Sequence, residues 1–389
     1  MKILWHSIPP MIPTGYGSQT KLLLKKFEQM GHEVAVSCAT GAPMATLSWQ
    51  GIKLFPDSGH SAKYGMDMVK THAERWGADV VISWLDAFSI PCTVAKALNW
   101  GAWVPVDSEP MMVRNVDPLK ACKWTMAPTK WGVQMLHDAG LPNAMLLPCA
   151  YDPQLFKNLG NPHQSKVDFA KLIKRPDVQD KFLVNVVSAN SGGRKNYQAI
   201  FAAWRFFHAD HPNTLLYLHT DITGYFCGGS DLVEMAKLYG CADDSIFYVS
   251  QWEYSTGQLG EEYLNLVYNA SDVHLNCCYG EGFGLPIMEA QAAGCPTIVP
   301  DFAAATEVGQ CYKITKGEMY STVPGALQFM VDVGDVVRML NAAYENRHME
   351  NRQAISDKTK PWQVDEVCQK YWHWILDGMQ EDTTCSQAC

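Results

Sequence analysis

Apolar and polar positions along this chain alternate between the period of strands and the period of helices. Lys2-Ile3-Leu4-Trp5-His6-Ser7 reads as a buried strand. A Pro- and Gly-rich loop follows, and Leu23, Phe27 and Met30 then fall on one helical stripe closed by Gly31. Further strands are predicted at 32–37, 79–84, 103–106, 124–128 and 144–147, with helices at 61–76 and 131–139 between them. The second half repeats the pattern. Strands are predicted at 182–188, 214–219, 246–249 and 273–278, and helices at 196–209, 232–238 and 261–270. Such alternation predicts parallel, doubly wound α/β sheets. Leu147-Pro148-Cys149-Ala150-Tyr151-Asp152-Pro153 reads as a crossing between two Rossmann-like domains, 1–150 and 151–360. Residues 361–380 predict a last helix with Val367, Tyr371, Trp374 and Ile375 on one stripe. Residues 381–389 read as a polar, disordered tail.

The length of 389 residues suits two domains, each able to bury its own core. No run of eighteen apolar residues occurs, so no transmembrane segment is expected, and the first residues lack a secretory pattern. The thirteen cysteines are odd in number, scattered and without a CxxC pair. They read as buried thiols of a reducing, cytoplasmic protein rather than a disulfide framework. No zinc-ligand spacing is present. Residues 1–150 hold 13 Lys and Arg against 11 Asp and Glu, a net of +2; the remainder hold 18 against 29, a net of −11. That acidity argues against a general nucleic-acid binder. Lys21, Lys25 and Lys26 cluster on the first helix, either as a solvated face or as a site for an anionic acceptor.

The stretch with the clearest chemistry is Glu281-Gly282-Phe283-Gly284-Leu285-Pro286-Ile287-Met288-Glu289. It follows a buried-strand pattern, so a strand ends, a glycine-rich loop carries an acid, and a helix begins near Pro286. A helix N-terminus offers unpaired N–H groups and the positive end of a dipole, which suit an anion, and two glycines let backbone approach it. Carboxylates do not bind phosphate; they grip hydroxyls. A ligand with a diphosphate and sugar hydroxyls on both sides of it fits: a nucleotide sugar. The plainer reading leaves Glu281 a loop acid and Glu289 a solvated helix residue. A second glycine loop, Ala189-Asn190-Ser191-Gly192-Gly193-Arg194-Lys195-Asn196, also opens a helix and places two cations at its start. Cations are unfavourable there unless an anion sits beside them. Such cations suit a leaving diphosphate, whose charge grows in the transition state.

These residues resemble the retaining glycosyltransferases of family four, which carry two glutamates separated by seven residues around a Gly-Phe-Gly-Leu-Pro core. The resemblance implies the GT-B fold: two Rossmann-like, doubly wound parallel-sheet domains facing across a cleft, with the last helix crossing back onto the first. It implies that Glu281 contacts donor-sugar hydroxyls, Glu289 holds the ribose, and the Gly284 and Leu285 amides, within the loop of Gly282 and Phe283, face the phosphates. Lys195 matches the family lysine. The family arginine falls at Ala189, a departure; either Arg194 supplies that charge from another direction or the duty rests on Lys195 alone. Thr14-Gly15-Tyr16-Gly17 matches the place where the family sets a glycine loop against donor phosphates or acceptor, with Ser18 a candidate N-cap. A second departure is Ser108, where many members carry a histidine. Its neighbours Asp107 and Glu109 stand at a predicted strand end, where open α/β sheets bind ligands, or else cap a turn. Glu307 matches a further family acid.

The expected activity is hexosyl transfer from a nucleotide sugar, by default UDP-glucose, to a hydroxyl; the resemblance implies retention of configuration and no metal, and no cofactor is expected. The acceptor is a carbohydrate or a hydroxylated base of viral DNA, with Asp107, Lys195 and Glu281 as catalytic candidates. Two rivals are a non-catalytic nucleotide-sugar binder, which the missing arginine and histidine would suit, and a sugar-nucleotide epimerase or hydrolase that needs no acceptor.

Overall fold

The computed structural model describes residues 1–42, 44–59, 64–225, 228–323 and 325–387. The chain divides into two compact units. One comprises Met1–Asp152, Val323–Ala326 and the chain from Pro361 onward; the other comprises Pro153–Thr322 and Leu327–Lys360.

The first unit is built on eight strands: β1 Lys2–Ser7, β2 Glu33–Cys38, β3 Leu47–Trp49, β4 Ile52–Phe55, β5 Val80–Trp84, β6 Trp100–Trp103, β7 Trp124–Ala127 and β8 Met145–Leu146. Their order is β3-β4-β2-β1-β5-β6-β7-β8, parallel throughout except for the β3–β4 hairpin. β1 is central, with Ile3 opposite both Val34 and Val80. Ile3, Leu4 and Trp5 are all fully buried, as a parallel strand covered on both faces requires. One face packs Leu4, Val81, Trp100 and Leu136 together.

Several predicted elements shift. The strand placed at 103–106 runs at Trp100–Trp103, because Pro105 has no N–H to continue the ladder. The helix placed at 61–76 is Val69–Trp76; residues 61–63 lie outside the described residues. Tyr64 and Gly65 both have positive φ, 50° and 65°, and a helix cannot pass through such residues. The helix Gly15–Gln29 is capped by Thr14, whose side chain accepts from the Gly17 amide, and not by Ser18.

The C-terminal segment packs within the first unit. Tyr151 N donates to Trp362 O at 3.0 Å. Trp372 is fully buried among Phe27, Trp103 and Trp5, with ring centroids 4.8, 5.6 and 6.0 Å away. The stripe differs from the one expected. A π-helical turn, Cys368–Trp372, inserts a residue into the α-helical phase. Val367 and Ile375 stay inside, Trp372 replaces Tyr371, and Trp374 points to solvent, 67% exposed. The helix His373–Gln387 continues through most of the stretch expected to be a disordered tail.

The second unit carries β9 Phe182–Val187, β10 Thr214–His219, β11 Ile246–Tyr248, β12 Val273–Leu275, β13 Thr297–Pro300 and β14 Tyr312–Ile314, followed by a hairpin, β15 Gly317–Val323 and β16 Ala326–Val331. The main sheet has the order β11-β10-β9-β12-β13-β14, all parallel. All six residues of β9 are buried. On one face the helix Tyr197–Asp210 sets Phe201, Trp204 and Phe207 against the sheet, and Leu340 of the helix Val333–Asn346 joins them. On the other, Phe169, Tyr217 and Val267 form a second core. Among the described residues no helix is long and apolar enough to cross a membrane.

Candidate nucleotide-sugar site

In the second unit two loops leave the carboxyl ends of neighbouring strands and are tied together. β12 stops at Leu275, three residues earlier than its apolar run suggests. The reason is Asn276: its side-chain Oδ1 accepts the Cys278 N–H at 2.9 Å, an Asx turn that takes the amide from the ladder. The loop after β9 turns at Gly192 and Gly193, φ 49° and 76°, and reaches Asn196. Asn196 adopts the left-handed conformation, φ 53°, and caps the helix Tyr197–Asp210 by accepting from the Ala199 amide. Arg194 and Lys195 therefore stand just before the helix, in the turn that leads into it. Tyr279 N donates to Arg194 O at 2.9 Å, Arg194 Nη1 donates to Gly280 O at 2.6 Å, and Tyr279 O accepts from Phe329 N of β16 at 2.9 Å. The two loops and the hairpin are thus one assembly.

At its centre is Glu281, buried and ion-paired. Lys195 Nζ donates to Glu281 Oε1 at 2.5 Å, Asn276 Nδ2 approaches the same oxygen at 3.3 Å, and Arg194 Nη1 lies 3.5 Å from Oε2. Burial pushes the Glu281 carboxyl up, but the Lys195 and Arg194 charges and the hydrogen bonds from Lys195 and Asn276 outweigh it and hold the group at about 2. The anion required beside two cations ahead of a helix is, in this state, a side chain of the protein.

Beyond Glu281 the chain passes through buried Gly282 and Phe283 to Gly284. Gly284 has φ 92°, and a Cβ there would come within 2.7 Å of Ile287 Cδ1, so the turn excludes a side chain. The helix Leu285–Ala292 begins at once, with Pro286 in its first turn. The amides of this N-terminus, Leu285 among them, are ones a helix cannot satisfy internally. On that helix Glu289 accepts from Tyr268 Oη at 3.1 Å. Burial pushes its carboxyl up, to about 7, against the lowering effect of the Tyr268 bond, and the Glu261 charge adds to the rise. Glu289 keeps part of its surface exposed, so water moderates that rise.

The structure thus brings Arg194, Lys195, Glu281, Gly282, Phe283, Gly284, Leu285 and Glu289 into one stretch of the second unit. Gly15, Gly17 and Asp107 belong to the first. Gly15 opens the helix Gly15–Gln29 and is exposed. Gly17 is buried, and its missing side chain has a local cause: a Cβ would lie 2.1 Å from Ile12 O. Asp107 is half-buried beyond the carboxyl end of β6, beside buried Ser108 and exposed Glu109. In the lysine cluster, Lys25 bonds Glu28 and Gln50 O, and Lys26 pairs with Asp365. Both are engaged within the fold. Asn276 and Tyr268 were missed by the sequence reading. A polar Asn inside an apolar strand pattern was the signal for the first; nothing local marks the second. Among the described residues no three His, Cys, Asp or Glu side chains gather as a metal-binding group.

Residues 225–342, which include Glu281 and Glu289, match the family model of the group 1 glycosyl transferases. No curated protein sequence matches the chain. Solved structures do. The chain is similar to sucrose-phosphate synthase from Thermosynechococcus elongatus, at TM-score 0.76 and 14% identity over 98% of this chain and 100% of that one. It is similar to the E. coli trehalose-6-phosphate protein bound with UDP-2-fluoro glucose, at TM-score 0.68 and 13% identity over 98% and 99%. An Anabaena protein in complex with UDP and glucose aligns at TM-score 0.65 and 14% identity, over 97% and 100%. The fold is GT-B. Glu281 and Glu289 lie inside the matched range, and Lys195, which meets Glu281 across 86 residues of sequence, lies ahead of it.

Proposed function

We propose that this protein is a glycosyltransferase of the retaining family-four kind, transferring a hexose from a nucleotide sugar to a hydroxyl. The observation that carries the reading is the ion-paired set Lys195–Glu281–Arg194 beside a glycine-opened helix N-terminus. Those are the parts that a diphosphate leaving group and sugar hydroxyls need together. In this proposal the Gly284 and Leu285 amides receive the diphosphate, and Lys195 and Arg194 stabilise the charge that develops as the glycosidic bond breaks. Arg194 then supplies the charge that Ala189 cannot. Glu281 accepts hydrogen bonds from the sugar hydroxyls, and Glu289 accepts from the ribose.

The first unit serves the acceptor, with Asp107 and the Gly15–Gly17 loop as its candidate contacts. UDP-glucose is the donor to try first; two solved structures of this fold hold UDP-2-fluoro glucose, or UDP and glucose. The acceptor is a glycan hydroxyl or a hydroxylated base. We expect no metal, since the two cations meet the leaving group's charge themselves, and activity is expected to survive EDTA. A cytoplasmic location fits the free thiols at the ten cysteines whose side chains are described.

The test is a thermal-shift panel of UDP, GDP, ADP and TDP sugars on wild type and Glu289→Ala. A ligand that binds only the native state raises the melting temperature with affinity and excess. One nucleotide that shifts wild type and not the variant identifies the donor; no shift with any of them would reject the reading.

A further inference from the structure

We propose that Glu281, besides holding the sugar, makes the site prefer an intact nucleotide sugar over a nucleoside diphosphate or free pyrophosphate. The proposal rests on the glycosyltransferase reading above.

Both cations that a diphosphate would use are already taken. Lys195 is 2.5 Å from Glu281 Oε1, and the two side chains are only 12% and 10% exposed. Arg194 stands 3.5 Å from the other oxygen while donating to Gly280 O. Two positive charges and one carboxylate leave one net positive charge, too little for a diphosphate. A bare diphosphate entering here brings its oxygens against a buried carboxylate that has nowhere to turn. Its other partners are Arg194, 3.5 Å away, and Asn276, whose bond is long, 3.3 Å. Removing Lys195 from it without a substitute leaves a buried charge that the more distant Arg194 compensates only in part.

A nucleotide sugar differs in one respect. Its hydroxyls can donate to Glu281 as Lys195 turns to the phosphates, so the carboxylate stays hydrogen-bonded while the cation changes partner. After transfer the sugar is gone. Glu281 reclaims Lys195, and the nucleoside diphosphate loses its strongest counter-charge, which favours its release. Specificity here comes from a repulsive element, a carboxylate that only the correct ligand can placate.

The framework makes this testable. The Tyr279–Arg194 backbone bond and the Arg194–Gly280 bond hold the two loops together independently of the Glu281 charge. Neutralising Glu281 therefore frees the cations while the loops that carry them stay tied. Inorganic pyrophosphate, UDP and UDP-glucose are titrated calorimetrically into wild type, Glu281→Gln and the double variant Glu281→Gln/Lys195→Met. Glu281→Ala, which also lacks the charge, serves should the Gln variant not fold. The expected result is that loss of the carboxylate tightens pyrophosphate and UDP about tenfold or more, the range of close charge couplings, and that the added Lys195→Met removes the gain. Wild type should bind UDP-glucose more tightly than UDP, and Glu281→Gln should reverse that order. Unchanged or weaker pyrophosphate binding in the charge-free variant overturns the proposal while leaving the enzyme reading intact, provided wild type binds a nucleotide sugar. If wild type binds none, the reading fails and this proposal with it.

Discussion

Replacing Lys195 by Met keeps the stem of the side chain and deletes its charge. It strips Glu281 of its closest partner, the ammonium at 2.5 Å. The carboxyl is held at about 2 against an ordinary 4.5. At 1.36 kcal/mol per unit, that depression corresponds to roughly 3 kcal/mol of stabilisation, shared among Lys195, Arg194 and Asn276. Lys195 supplies the largest of the lowering effects, so its removal costs a large part of that, up to about 3 kcal/mol at pH 7, within the range for a broken buried pair.

The sign with pH follows from the depressed value. Glu281 contributes its stability above 4.5 and loses it as pH falls through about 2. In Lys195→Met the carboxyl rises and protonates early, so the gap between wild type and variant is widest at neutral pH and narrows as pH falls below 4.5. Urea unfolding read by tryptophan fluorescence, with buried Trp204 inside the affected unit, gives the gap from neutral pH down through 4.5 toward the acid range where the wild-type contribution is lost. The double variant Lys195→Met/Glu281→Gln should regain most of the loss, since it removes the orphaned charge. A double variant no more stable than the single one, or a gap that does not change with pH, would refute the reasoning.

Three other outcomes are expected. Glu289 has a raised carboxyl, so its contribution is present below 4.5 and lost as pH rises through about 7; Glu289→Gln should remove that slope from a melting-temperature profile between pH 4.5 and 7, and with it the affinity for nucleotide. Gly284→Ala forces a left-handed Ala against Ile287; a cost of about 1–3 kcal/mol in unfolding and a larger fall in nucleotide-sugar affinity than in melting temperature are expected. Trp372→Ala should destabilise the first unit by about 3–5 kcal/mol in denaturant titration. Trp372→Phe should cost less than half of that, because the buried Trp372 Nε1 has no hydrogen-bond partner among the described residues.

Where a residue's neighbours in sequence are also its neighbours in space, the reading was close. The six buried positions of β9, the helices Leu232–Leu238 and Glu261–Ala270 and the turn into Leu285–Ala292 all follow from periodicity and caps. The reading failed where a local rule was overridden. Asn276 ended β12 early with its own side chain, and Thr14 took the cap assigned to Ser18. The π-helical turn moved Trp372 inward and Trp374 out. The hairpins β3–β4 and β15–β16 and the helices Pro162–Leu172 and Val333–Asn346 went unread.

The amino-acid sequence by itself determined the α/β class, the two parallel sheets and the acidic glycine loop that opens a helix. Apolar period, glycine conformation and helix-end chemistry act over a few residues, and those residues are adjacent in the chain. What only the tertiary structure decided is who faces whom. Glu281 takes both Lys195 and Arg194, and Glu289 takes a hydroxyl from Tyr268. The charge state of each carboxylate follows from those partners and from burial. Both are properties of space, set when β9 and β12 lie side by side, and no spacing along the chain encodes them.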